Sequence, residues 1–216
     1  MPAIDIANAD LLLTTTKQVR KRLDLTRPVP RELLLECIDI ASHAPIGGNQ
    51  ERNRWLIIDD PAVKAQIAPL YQAVGRPYLA ANTETEGRQA RVVESASYLV
   101  DHIAEVPAWV IAVRLDRLSD TAAAFEVAGY HGSVAPSVWS FQLAARARGL
   151  GSAWTTFHLV HEMEVAEVLG IPPTVTQIAL LPVAYYTGDN FMPAPRRPAR
   201  EVTYANHWKI PPLSTA

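Results

Sequence analysis

The chain has 216 residues, 49% of them hydrophobic and 19% charged, and a formal net charge of −2. That length and balance suit a single globular domain over residues 1–216, able to bury a sizeable core. They exclude the basic footprint of a nucleic-acid binder, and the longest apolar stretches, such as residues 106–113, fall far short of a membrane span.

Asn8 or Asp10 can cap a short first helix that ends near Thr15. Residues 30–44 read as a second helix. Pro30 suits its first turn, Glu32 favours the positive end, and apolar positions recur to Ala44. Cys37, the only cysteine, falls in that apolar pattern as a small buried hydrophobe and leaves no partner for an internal disulfide. Residues 55–59 form a buried strand, and Pro61 opens a third helix to about Val74. The sequence predicts a polar loop or lid over 75–87, a helix over 88–103 and a buried strand over 108–114. A long helical pattern covers 121–148, interrupted near Gly129, Gly132 and Pro136 and closed by Gly149.

A short strand over 153–157, a helix over 161–169 and a strand over 176–185 follow. Eight of the 17 prolines lie at or after Pro172, so an extended arm poor in helix is expected from about residue 187. Every strand run is apolar, which predicts a sheet covered on both faces. The N-terminus carries Asp5 and Asp10 and no basic stretch, unlike a secretory signal, and a cytoplasmic location is the simplest reading.

Four segments stand out for chemistry. In residues 14–22, Lys17 and Arg20 with Thr16 and Gln18 suit a phosphate; they also read as a solvated basic helix end continued by Lys21 and Arg22. In residues 44–58, Pro45, Ile46, Gly47 and Asn49 form a loop between rigid elements. Such a loop is a common ligand site, and it is equally a plain helix–strand connector. Residues 132–156 hold a helix with the small residues Gly132, Ala135 and Ser137, then a glycine turn, then Trp154, Thr155 and Thr156. That helix suits either close helix approach or ordinary core packing. The fourth segment pairs Leu169-Gly170-Ile171-Pro172 with a distant Pro195-Arg196-Arg197-Pro198, whose prolines hold two arginines stiffly.

Other constellations fail. His158 and His161 with Glu162 lack a third ligand at sensible spacing, so no metal is expected. Gly149-x-Gly151 ends a helix instead of opening one, unlike a dinucleotide fingerprint. Ser133 and Ser137 lack a nucleophile elbow.

In this order and spacing the four segments resemble the FMN-dependent nitroreductase family, over roughly residues 11–208. The resemblance implies an α+β, nitroreductase-like three-layer fold, with a central, mainly antiparallel sheet flanked by helices, in an intertwined homodimer with a C-terminal arm. It implies FMN as cofactor and NADH or NADPH as electron donor. The implied reaction is a ping-pong transfer to nitroaromatic, quinone or similar electron-poor acceptors.

Thr16, Lys17 and Gln18 stand where the family's phosphate segment commonly has Arg, Arg and Ser, and Arg20 keeps the last cation. Arg196 or Arg197 stands where the family has a C-terminal phosphate-binding arginine, with Arg196 the better fit. Pro45, Ile46, Gly47 and Asn49 match the loop that lies against the flavin, commonly that of the other subunit. The family then has Gln-Pro-Trp, where this chain has Glu51-Arg52-Asn53 and regains an aromatic only at Trp55. Trp154, Thr155 and Thr156 match a stretch whose backbone N–H groups lie near flavin N5 and O4, and residues 134–148 match the central dimer helix.

The cofactor carries the chemistry, so no catalytic side chain is assigned. Tyr78, the only aromatic of the 75–87 segment, is the candidate for stacking on the acceptor. A flavin-sequestering protein without turnover, and a reductive dehalogenase or flavin-fragmenting relative, are the alternative readings.

Overall fold

The structure, a computed structural model, describes residues 4–82 and 86–213. It divides into two compact units, one of residues 16–189 and a smaller one made by the chain ends, up to Thr15 and from Asn190. The helices of the described residues are α1 (Ile6–Thr15), α2 (Arg31–Ser42), α3 (Pro61–Ala80), α4 (Gly87–His102), α5 (Ala124–Gly132), α6 (Ala135–Ala147) and α7 (Glu162–Leu169). The strands are β1 (Asn53–Ile58), β2 (Ala108–Arg114), β3 (Leu150–Ser152) and β4 (Thr176–Tyr185).

In the larger unit the strands form one sheet in the order β1-β2-β4-β3, with every neighbouring pair antiparallel. β2 is buried along its whole length, which explains its unbroken apolar run. Ala108, Val110 and Ala112 pack with Leu34 and Cys37 of α2 and with Val138 and Phe141 of α6. Alternate residues point to the opposite face. There the indole N–H of the fully buried Trp109 donates to Ile103 O at 3.0 Å, just beyond α4. Buried Ile67 of α3, Leu99 of α4 and Val165 of α7 belong to these helices' inner faces. The fold is thus the expected α+β arrangement of an antiparallel sheet with helices. Among the described residues no helix is long and apolar enough to cross a membrane.

Local chemistry sets the helix starts. Asp60 accepts from Ala62 N at 2.8 Å ahead of α3, with Pro61 in its first turn. Lys64, 5% exposed, donates from its ammonium to Val106 O at 2.6 Å, so burial lowers its pKa while the contact satisfies the turn that enters β2.

Three local expectations need correction. α3 does not stop near Val74; it runs to Ala80 through Pro69 and Pro77. Residues 75–80 of the expected 75–87 loop are therefore helical, and residues 83–85 of it lie outside the described residues. Gly75 and Pro77 read as breakers, but buried packing at Gly75 and Leu79 outweighs their poor propensity. The strand expected over 153–157 is confined to β3, for a reason given below.

The third correction lies in the smaller unit, where α1 is capped by Asp5 and not by Asn8 or Asp10: Asn8 N donates to Asp5 Oδ1 at 3.1 Å. Beyond Asn190, the regular structure of the described residues is a 3-10 turn at Ala199–Glu201. The Tyr204 and Trp208 rings meet edge to face at 4.7 Å.

Candidate functional site

The site starts from a proline in the middle of the sheet. β3 pairs with β4 up to Ser152–Val183, and the same register reappears at the Thr155–Leu180 bridge. Continued register sets Ala153 opposite Pro182, which has no N–H to give. The ladder breaks there. Thr155 exchanges both backbone bonds with Leu180, at 3.0 and 3.0 Å. Its neighbour Trp154 therefore turns its N–H the other way, off the sheet edge, where Gln18 Oε1 accepts it.

The segment 16–20 lines that edge and is not helical. Val19 N donates to Ser152 O at 2.8 Å. Gly151 permits this approach, because a Cβ on it would lie 2.9 Å from Val19 Cβ. The basic-helix-end reading of this segment is thus set aside. Thr16, Gln18 and Arg20 are half-buried and Lys17 is exposed.

Arg20 reaches into a cavity of about 470 Å³, walled by Tyr71 and Tyr78 of α3, Leu99 of α4, and Trp154, Thr155 and Phe157. Burial lowers the Arg20 pKa while nearby Tyr71 opposes the shift, and a guanidinium remains charged regardless. Its one hydrogen bond among the described residues is a long one, 3.5 Å, to Ser95 Oγ. Tyr71 is 1% exposed. Burial raises its pKa, opposed by the Thr155 side chain and the Arg20 charge. Tyr71 and Thr155 interact outside hydrogen-bonding geometry, so Thr155 Oγ1 is buried with no hydrogen bond formed among the described residues. A cation and two buried hydroxyls thus form a polar end to a largely aromatic slot. Such a slot can hold a flat ring that carries acceptor atoms on one edge.

The structure brings Arg20, Tyr78, Trp154, Thr155 and Thr156 to this cavity, and Gln18 to its rim through Trp154. It sets the loop of Pro45, Ile46, Gly47 and Asn49 elsewhere. Ile46 lines a second cavity of about 420 Å³ together with His43, Asn53, Trp55 and Ser137. Gly47 N donates to Ser133 Oγ at 3.1 Å, and Asn49 takes a left-handed backbone, φ 53, which asparagine tolerates.

The unusual Glu51-Arg52-Asn53 has a structural role in this arrangement. Arg52 pairs with Asp116 at 2.5 Å, and Asn53 Nδ2 donates to Ser133 O at 2.9 Å. Arg196 and Arg197 are exposed in the smaller unit, where Arg196 Nη1 donates to Pro195 O at 3.1 Å. Sequence reasoning missed Tyr71, Leu79 and Phe157. The spacing of Tyr71, Gly75 and Tyr78 on one helical face is the signal for the first two, once α3 continues past Gly75.

A family model described as "Nitroreductase family" matches residues 16–185. A search of curated proteins finds no match. Among solved structures, an oxidised iodotyrosine deiodinase bound to FMN and 3-iodo-L-tyrosine is 22% identical, with 91% of this chain and 99% of that one covered at TM-score 0.65. A nitroreductase-like family protein from Bacillus cereus is 18% identical, with 95% and 97% covered at TM-score 0.66. A BluB-like flavoprotein from Clostridium difficile 630 is 16% identical, with 95% and 100% covered at TM-score 0.65. At these identities the likeness to solved structures concerns the fold.

Proposed function

The chain belongs to the nitroreductase family, and on that premise we propose that it is an FMN-dependent oxidoreductase passing electrons from NADH or NADPH to nitroaromatic, quinone or similar electron-poor acceptors. One observation carries this reading: the half-buried Arg20 guanidinium meets the buried Tyr71 and Thr155 hydroxyls at one end of an aromatic slot.

The residues present fit FMN. Thr155 Oγ1, buried with no hydrogen bond among the described residues, can donate to an acceptor on a ring edge. Arg20 supplies a positive charge for a carbonyl edge or a phosphate. When bound, FMN supplies the two-electron transfer between donor and acceptor. The chain binds, orients and dries the site: Gln18 fixes the Trp154 backbone, and Leu79 and Leu99 keep water from the slot. That family members are mostly FMN oxidoreductases, and that one similar fold holds FMN, both support the proposal.

The active form is a homodimer in this reading. The loop of Pro45 and Asn49 lies at a cavity separate from that of Arg20 within one chain. A second copy can complete the Arg20 cavity with that loop. Exposed Phe125 of α5 and exposed Leu11, Leu13 and Trp208 of the chain ends offer apolar surface to cover. Sedimentation at low concentration is expected to show a dimer that retains FMN. A monomer with full FMN content and activity would sink the shared-site reading.

The functional test is an absorbance spectrum. The purified protein is expected to be yellow, to bleach with anaerobic NADH or NADPH, and to recolour on adding a nitroaromatic or quinone. FMN is expected to bind more tightly than riboflavin, which lacks the phosphate. A yellow protein that neither donor bleaches points instead to flavin sequestration. A colourless protein that FMN does not restore overturns both readings.

A further inference from the structure

Tyr71, Gly75 and Tyr78 share one face of α3. Phe157 seats its ring in the notch over Gly75. Its centroid lies 5.4 Å from that of Tyr71 and 5.4 Å from that of Tyr78. No side chain fits beneath it: a Cβ on Gly75 would come within 3.0 Å of Phe157 Cδ2 and 2.7 Å of Val100 Cγ2. The three rings make a continuous aromatic ladder along the cavity wall. Tyr71, at the polar end, is 1% exposed, while Tyr78 is 67% exposed, so the ladder runs from the closed end of the slot to solvent.

Resting on the reading above, we propose that Phe157 is a specificity-determining residue for the electron acceptor, with Gly75 as the seat that fixes its ring. The groups suited to the cofactor, Arg20 and residues 154–156, line the cavity beside the ladder. The ladder reaches solvent at Tyr78, beside exposed Thr156 and Val160, where a reactant can enter and leave. Planar aromatic rings pack well against offset or edge-on rings. The middle ring of the ladder has no polar atom, so it selects by flatness and size and not by hydrogen bonding. The occupant it suits is a planar aromatic acceptor.

The test uses the FMN-loaded protein and Phe157→Leu. Benzoate, a planar probe that is not reduced, is titrated against the flavin absorbance, and kinetics are run with one-ring and two-ring nitroaromatics. The benzoate dissociation constant and the acceptor KM are expected to rise about two- to tenfold, with kcat and FMN affinity little changed. Gly75→Ala pushes the ring into the slot. It should penalise two-ring acceptors more than one-ring ones, and Phe157→Leu added to it should reverse that bias. If Gly75→Ala does not fold, the benzoate titration of Phe157→Leu decides alone. Unchanged benzoate affinity and KM overturn the proposal. So does an equal loss of FMN affinity, because that puts the ladder against the cofactor. Absence of bleaching by either donor in the unmodified protein refutes the functional reading itself.

Discussion

Replacing Arg20 by alanine is expected to weaken FMN binding about 10- to 100-fold. A hydrogen bond to a charged group contributes roughly 1.5–3 kcal/mol, and about 1.4 kcal/mol is tenfold in affinity. Arg20 is placed to make such bonds. Its backbone follows Val19, which is pinned to the β3 edge, and its guanidinium enters the cavity held, among the described residues, by a 3.5 Å contact to Ser95 Oγ. The same loose tethering sets the control. Removing a half-buried cation that makes one weak bond among the described residues should cost the cofactor-free protein little stability. Arg20→Lys, which keeps the charge and loses the planar fork, should fall between the two. Fluorescence titration of the cofactor-free variants measures the effect, and an unchanged dissociation constant would mean that Arg20 does not touch the cofactor.

Acidification is expected to destabilise the protein through His158. This residue is fully buried directly after Phe157, with neither ring nitrogen hydrogen-bonded among the described residues. Burial lowers its pKa to about 4 from an ordinary value of 6.5, and the negative charge of Glu162 opposes the shift. Glu162 is itself engaged: Arg117 Nη2 lies 2.8 Å away, and Gln177 N donates to it at 2.9 Å. Above pH 6.5 the imidazole is neutral in both folded and unfolded chains and stability is unaffected. As pH falls from 6.5 toward 4, the unfolded chain takes up the proton first, and the folded state loses ground. The loss amounts to about 3 kcal/mol by the time both states are protonated. Unfolding measured from pH 7 to 4, at fixed protein and FMN concentration, should show this loss in the wild type and not in His158→Leu. Parallel pH profiles for the two proteins would show that His158 is not the source.

What was legible in the sequence was what short-range physics writes there. The unbroken apolar runs of β2 and β4 marked strands buried on both faces. The pattern around Leu34 and Cys37 marked the inner face of α2, and Pro61 marked the start of α3. The ordered set of polar segments also gave the family, since spacing between ligand-bearing loops survives when individual residues change. Thus the unusual residues Lys17 and Gln18 did not hide the family.

The tertiary structure decided the points where a residue's meaning depends on what lies across from it. Gly75 and Pro77 carry poor helix propensity, and only Val100 and Phe157 packing against the bare Cα of Gly75 shows why α3 continues. Pro182 looks like one apolar residue in a strand, and only its register opposite Ala153 breaks the β3 ladder, freeing the Trp154 N–H for Gln18. Tyr71 and Phe157 are ordinary core aromatics in sequence. They become cavity walls because α3 and the turn after Thr156 meet, a contact between positions 86 residues apart that no local pattern encodes.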